Sequence, residues 1–281
     1  MQRTGNVNDQ PRESLLISGV SSGIGLSTAK EGLKRGYRVC GISRTEPHCD
    51  GIDWLPTDIR NPNEVSHAVE ALLSDDHRLA GVLCGAGVGL IGAVEDTNAD
   101  QVAEIFATNY FGTANLIRAA LPKLRSNGGG QVVILGSLAG QVPLPFQAHY
   151  SASKAAVENM ALALSTEVKS FGISVVLLAL GDVQTNFLRR CTTVDRDGSP
   201  YGTSLRGCIS VIEADMAAAP MPDAAVELVM NALTVPSHAP KRSFGPHSIA
   251  TQLGKRLLPV RIARYLVARH FGLDGGGGQV P

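Results

Sequence analysis

Leu15-Leu-Ile-Ser-Gly-Val-Ser-Ser-Gly-Ile-Gly25 decides the fold of this chain. The apolar run at 15–18 has the length and composition of a buried strand, and a helix pattern follows to about Arg35. Between them Gly19, Gly23 and Gly25 fall in the spacing G-x-x-x-G-x-G. Glycine lets the backbone turn tightly and approach a pyrophosphate closely. The helix N-terminus behind it offers free N–H groups and a positive dipole end. The spacing differs from the usual G-x-G-x-x-G, but the mechanics are shared. Coming after the first strand of a βαβ unit, the turn is expected to hold a dinucleotide through Gly19, Ser21, Ser22, Gly23, Ile24 and Gly25.

The same rhythm continues down the chain. Strands are expected at 37–42, from Trp54 to about Asp58, and at 81–84, 131–135 and 173–179, with a seventh at 242–244. Helix patterns cover 63–73 and 99–125, and a further helix carries Tyr150 and runs to about Ser170. Strands alternating with helices imply an α/β parallel sheet with right-handed crossovers. No linker divides the chain, so 14–272 reads as one domain, with flexible tails at 1–13 and 273–281. The stretch at 182–222 breaks the rhythm and is rich in Gly, Ser and Asp. At the C-terminal end of a strand it reads as a substrate lid.

Composition bounds the function. Twenty-five basic residues balance twenty-five acidic ones, so no global field points to nucleic acid. Five cysteines form no C-x-x-C pair and no metal-ligand spacing with His, which suits a reducing compartment. The polar first residues lack a signal-peptide core, and no apolar run reaches membrane-spanning length. A cytoplasmic protein without metal is expected.

Two further features suggest chemistry. The second strand ends in Ser43-Arg44, where an NAD-type site usually carries Asp or Glu. An arginine there suits a 2′-phosphate, which favours NADP(H). Tyr150 and Lys154 stand about one helical turn apart, so both leave one helix face. A phenol beside an ammonium can serve as a general acid or base, although Tyr-x-x-x-Lys also occurs by chance on helix surfaces.

Taken together and in order over about 15–187, these residues resemble the short-chain dehydrogenase/reductase family. Gly19, Gly23 and Gly25 match its cofactor loop. Thr57-Asp58-Ile59 resembles the segment whose Asp contacts adenine. Thr108-Asn109, Gly136-Ser137 and Tyr150-x-x-x-Lys154 match its catalytic set. The chain departs at Cys84-Gly85-Ala86-Gly87, where the family commonly has an Asn before Ala-Gly. It departs again at Leu180-Gly181, where Pro-Gly is usual; loss of that Pro removes a rigid start to the lid. The resemblance implies a Rossmann-type doubly wound sheet of about seven strands with helices on both faces. It also implies a cofactor site at Gly85, Ala86, Gly87, Gly181, Val183 and Thr185 besides the phosphate loop.

Roles follow from the resemblance. Ser137 and Tyr150 would bind a carbonyl oxygen, Tyr150 would give its proton, and hydride would pass from NADP(H). Lys154 would lower the Tyr150 pKa and bind the nicotinamide ribose, and Asn109 would hold a water linking Lys154 to solvent. Leu144, Asp182 and Phe187 are candidate substrate contacts. The segment Leu144-Pro-Phe146 and the basic-apolar tail resemble the branch of 17β-hydroxysteroid and retinol dehydrogenases, which implies a lipophilic carbonyl substrate. A homodimer or homotetramer through the helices of Asn109 and Tyr150 is implied too. Oxidation of secondary alcohols, or NADP binding without turnover, are the competing readings. The tail from Lys255 to Phe271 mixes five basic residues with apolar ones. It is expected to pack its apolar side on its own domain; contact with an anionic membrane surface is the lesser reading.

Overall fold

A computed structural model describes residues 13–74, 77–237 and 239–274. Seven parallel strands form the central sheet. They are β1 (Glu13–Ser18), β2 (Arg38–Ser43), β3 (Ile52–Pro56), β4 (Arg78–Cys84), β6 (Gly130–Ser137), β7 (Ile173–Leu180) and β9 (Lys241–Phe244). Their order is β3-β2-β1-β4-β6-β7-β9. The order reverses between β1 and β4, and a crevice opens there outside the carboxyl ends of the strands. The expected Rossmann-type sheet of seven strands is therefore present.

Side chains alternate across this sheet, so each strand serves two cores. Leu16, Val82, Val132 and Leu177 face one side and pack on α2 (Pro62–Leu72), α4 (Thr113–Ser126) and α5 (Ala148–Glu167). Leu15, Ile17, Leu83, Val133 and Val176 face the other and pack on α1 (Gly23–Lys34) and α7 (Pro222–Thr234). Each large side chain fully buried here contributes about 1.5–3 kcal/mol.

Several expectations are corrected. Glu13 is the first residue of β1 and not part of a tail; the remainder of 1–13, and 275–281, lie outside the described residues. The helix expected over 99–125 is present without a break, as α3 (Ala99–Phe106), a π-helical turn (Ala107–Gly112) that the sequence did not announce, and α4. Ile59 packs so closely on Gly112 that a Cβ there would lie 2.7 Å from it. The 182–222 stretch is largely regular. It contains β8 (Thr192–Val194), paired in parallel with β5 (Leu90–Gly92), and all of α6 (Gly202–Ala218).

The C-terminal segment forms α8 (Ser248–Leu257) and α9 (Val260–His270). Its apolar side is only partly packed on the domain: Leu257 is 74% exposed and Val260 73%. Only the inner edge, through Val267 and Phe271, joins a small core with Leu205, Cys208 and Ile212 of α6.

Candidate active site

Ser18, the last residue of β1, ties the two sides of the crevice together. Its hydroxyl donates to Leu83 O at 3.3 Å and accepts the N–H groups of Gly85 at 3.0 Å and Ala86 at 3.3 Å. The loop after β1 thus packs directly on the loop after β4. A Cβ at Gly19 (φ 74°) would lie 2.9 Å from Ala86 N, and one at Gly25 only 2.4 Å from Gly19 O. Backbone stands on both sides of these contacts, so no side-chain rotation relieves them. Sequence reasoning found the glycines and missed Ser18, whose signal was only a buried hydroxyl at a strand end.

The helix behind this loop is left open to an anion. Ser22 is the N-cap of α1, its side chain makes no capping bond, and the first turn holds no acidic residue. The first N–H groups of the helix remain without an intrahelical partner. Close backbone approach and an uncapped helix N-terminus fit a dinucleotide pyrophosphate.

Ser137, Tyr150 and Lys154 meet at the carboxyl end of β6. Ser137 ends that strand, and its Oγ accepts from Ala139 N at 3.1 Å. Helix α5 buries Val157, Ala161 and Leu164 against the sheet, and the same face carries Lys154 and Tyr150 one and two turns earlier. Hydrophobic packing of the helix body therefore aims the polar pair. Lys154 Nζ donates to Leu135 O at 3.0 Å and lies 6.0 Å from the centroid of the Tyr150 ring. The ring of Phe187 lies against Tyr150 at 5.7 Å.

Burial dominates the electrostatics. It pushes the Tyr150 phenol up to about 12, while a hydrogen bond with Ser137 acts the other way. Lys154 is held down at about 8 by burial. The expected lowering of the phenol by Lys154 is therefore not the governing effect in this arrangement; burial of the hydroxyl outweighs it.

Asn109, in the π-helical turn, is almost wholly buried. Its Oδ1 accepts from Val88 N at 2.9 Å, and its Nδ2 donates to Val88 O and to Ser153 Oγ, both at 3.0 Å. The side chain thus fastens the loop after β4 to α5. Its main-chain carbonyl accepts from Thr113 Oγ1 at 2.7 Å. Local widening of a helix at such a position is common at functional sites.

A cavity of about 1020 Å³ joins these parts. Its wall includes Gly19, Ser22, Gly23, Ile24, Gly25, Gly85, Ala86 and Gly87 at one end, then Ser137, Tyr150 and Lys154. Leu144, Gly181, Asp182, Val183, Thr185 and Phe187 line it as well. Thr185 Cγ2 would stand 3.8 Å from a Cβ on Gly23, so the start of the 182–222 stretch closes on the phosphate loop. Leu180, where the family usually has Pro, pairs with Phe244, and Gly181 N donates to Phe244 O at 2.8 Å. Burial raises the Asp182 carboxyl, and Asp215 reinforces the shift.

Other expected residues lie apart from this cavity. Ser21, Ser43, Arg44, Asp58 and Ile59 do not line it. Ser43 Oγ accepts from Trp54 Nε1 at 2.9 Å and donates to Thr45 O at 2.7 Å, and Arg44 beside it is exposed. The Asp58 carboxylate receives Arg60 Nε at 2.9 Å on both oxygens. That pairing holds the carboxyl below its ordinary range. Ile59 is a core residue, so only its backbone could serve a ligand. Sequence reasoning missed Gln141, whose buried Nε2 has no partner, and Cys191, which packs on Gly89; both line the cavity.

The family model of the short chain dehydrogenases matches residues 13–195. The chain belongs to the short-chain dehydrogenase/reductase family, whose members act on carbonyl and alcohol groups with nicotinamide cofactors. A 3-ketodihydrosphingosine reductase of Bacteroides thetaiotaomicron is 35% identical over 202 residues, 71% of this chain and 75% of that protein. The human 17-beta-hydroxysteroid dehydrogenase type 1 is 32% identical over 196 residues, 64% of this chain and 59% of that protein. The crystal structure of a short-chain dehydrogenase from Streptomyces avermitilis superposes with a TM-score of 0.78 at 24% identity. It covers 96% of this chain and 100% of its own.

Proposed function

We propose that the chain is an NADP(H)-dependent reductase of a lipophilic ketone or aldehyde. The observation that carries this reading is the convergence of Ser137, Tyr150 and Lys154 on the same cavity wall as the glycine loop. Gly19, Ser22, Gly23, Ile24, Gly25, Thr185 and the Gly85-Ala86-Gly87 backbone would hold the cofactor, which supplies hydride when bound. Ser137 and Tyr150 bind the carbonyl oxygen, where negative charge grows in the transition state. Tyr150 stays protonated through the neutral range because of its burial, as a proton donor must. Lys154, cationic below about 8, stabilises the phenolate that remains. Asn109 is a positioning residue that holds Val88 and Ser153 in place. The reverse reaction uses the same groups with Tyr150 as base.

Substrate class rests on the apolar wall beside Tyr150, where Leu90, Leu144, Phe187 and Leu188 stand. Two of the relatives are named for lipophilic molecules, a 3-ketodihydrosphingosine and a 17β-hydroxysteroid. NADPH oxidation against steroid, retinoid, polyketide and small ketones, with NADH alongside, tests the whole reading. Turnover confined to small polar ketones would sink the substrate class. A homodimer or homotetramer through α4 and α5 belongs to the same proposal; Phe111, 57% exposed beside Asn109, is an apolar group such a contact would cover.

Two substitutions test the cofactor assignment. Arg44→Ala lowers the NADPH-over-NADH ratio of kcat/KM by about 10–100-fold, the worth of a charge-assisted hydrogen bond. An unchanged ratio removes Arg44 from 2′-phosphate recognition. Gly25→Ala forces a Cβ onto Gly19 O, which displaces the loop at a cost of about 1–3 kcal/mol. Fluorescence titration is expected to show NADPH affinity reduced about tenfold or more. Unaltered affinity would place the dinucleotide elsewhere.

A further inference from the structure

The far end of the cavity is built by the last two helices, and their outer face is unusual for a protein surface. On α8, Ile249, Leu253 and Leu257 recur every four residues as one stripe, 73%, 52% and 74% exposed. On α9, Ile262, Tyr265 and Leu266 are 47%, 52% and 48% exposed, interleaved with the exposed Arg261 and Arg269. Residues 248–271 hold four Arg and one Lys and no Asp or Glu, within a chain of zero formal net charge. Exposed apolar residues recurring along the outer face of each of two adjoining helices mark an interaction site.

We propose that α8 and α9 seat on the surface of an anionic lipid bilayer. The leucine and isoleucine side chains enter the acyl boundary and the arginines meet headgroup phosphates. Charge selects lipid over a second copy, because a two-fold contact would set one cationic face against its own image. Tyr265, apolar in body and polar at its tip, suits an interfacial position. The cavity points the same way. Leu258, Val260 and Leu266 both line it and are exposed, so it reaches the surface on this face. An apolar molecule could then pass from the acyl layer into the cavity without crossing water. No described helix is long and apolar enough to cross a membrane, so the contact is peripheral. Phe271 and the His270–Asp215 contact at 2.8 Å hold α9 to the domain while its outer face stays free. Seating on lipid does not depend on the proposed reaction.

Flotation of the full chain with vesicles tests this directly. With phosphatidylcholine vesicles containing about one third phosphatidylglycerol, at low salt, the protein floats; with pure phosphatidylcholine, or at high salt, the floated fraction falls at least about tenfold. Arg261→Gln with Arg269→Gln weakens binding by about 25-fold, about fivefold per residue. Ile249→Ser, Leu253→Ser and Leu257→Ser together abolish it. All these side chains are exposed, and circular dichroism checks that the variants remain folded. The proposal is overturned if the wild type stays in the soluble fraction with anionic vesicles, or floats equally well on neutral ones. It is also overturned if light scattering shows a dimer that the triple serine variant dissociates while neither protein binds vesicles.

Discussion

Tyr150→Phe is expected to lower kcat for carbonyl reduction by about 10³–10⁴-fold, the upper part of the range for removing a positioned proton donor, or beyond. NADPH affinity is expected to stay within about twofold, since the change removes only one hydroxyl. Fold stability should hold as well. The ring packs on Phe187 and among Leu90, Ile105 and Ala139, and phenylalanine retains every one of those contacts. The loss is large because alkoxide developing on the substrate has nowhere else to take a proton. Ser137 remains as a hydrogen-bond donor, yet its hydroxyl is far too weak an acid to finish the transfer. Steady-state turnover and a fluorescence titration of NADPH on the same preparation separate the two effects. Turnover surviving within tenfold of wild type would mean that another group supplies the proton, and the mechanism above would be wrong. Loss of cofactor binding together with turnover would instead make Tyr150 a binding residue.

How much of this was legible in the sequence depends on the range over which each feature is specified. Strands β1, β4, β6 and β7 are local apolar runs, and the turn after β1 carries its own glycines, so sheet and crevice could be read off directly. The pairing of β5 with β8 could not. Each is three residues long, and Leu90 finds Thr192 a hundred positions away only through the fold. The π-helical turn was hidden for a similar reason. Residues 99–125 have an ordinary helical period, and the turn's partners, Val88 and Ser153 on Asn109 and Ile59 on Gly112, come from distant parts of the chain. Asn109 itself is legible in the sequence, but its side-chain bonds to Val88 and Ser153 are not. Helix α6 escaped because the loop before it, with its Gly, Ser and Asp, coloured the reading of the whole stretch. The tail was read by the usual rule that an amphipathic segment covers its own domain. Here the rule holds for Val267, which packs on the small core, and fails for Leu253 and Leu257, which stay 52% and 74% exposed.

Lys154→Met should make the protein more stable and nearly inactive. Lys154 is only 8% exposed, and burial draws its pKa from 10.5 down to about 8. A shift of that size corresponds to about 3 kcal/mol of folding free energy sacrificed while the ammonium is charged. The sign follows from proton counting. Between about 8 and 10.5 the unfolded chain holds the proton and the folded chain has released it, so stability rises with pH across that window. Below about 8 both states are protonated and the full penalty applies. Methionine has similar length, carries no charge and fits an irregular apolar space. It loses one charge-assisted hydrogen bond to Leu135 O, worth about 1.5–3 kcal/mol, which leaves a net gain of up to about 1.5 kcal/mol near pH 7. Thermal melting without added cofactor is then expected to show Tm higher by about 2–3 °C. The difference should shrink as pH rises from 8 toward 10. Turnover should fall by about 10³-fold, because the positive charge beside the reacting phenol is gone. A variant that melts below wild type at pH 7 would show that Lys154 is not a strained buried charge. A buried lysine with one carbonyl partner is a poor choice for stability alone. Its retention at the C-terminal end of β6, on the face of α5 that packs the core, makes sense where the charge is needed for chemistry.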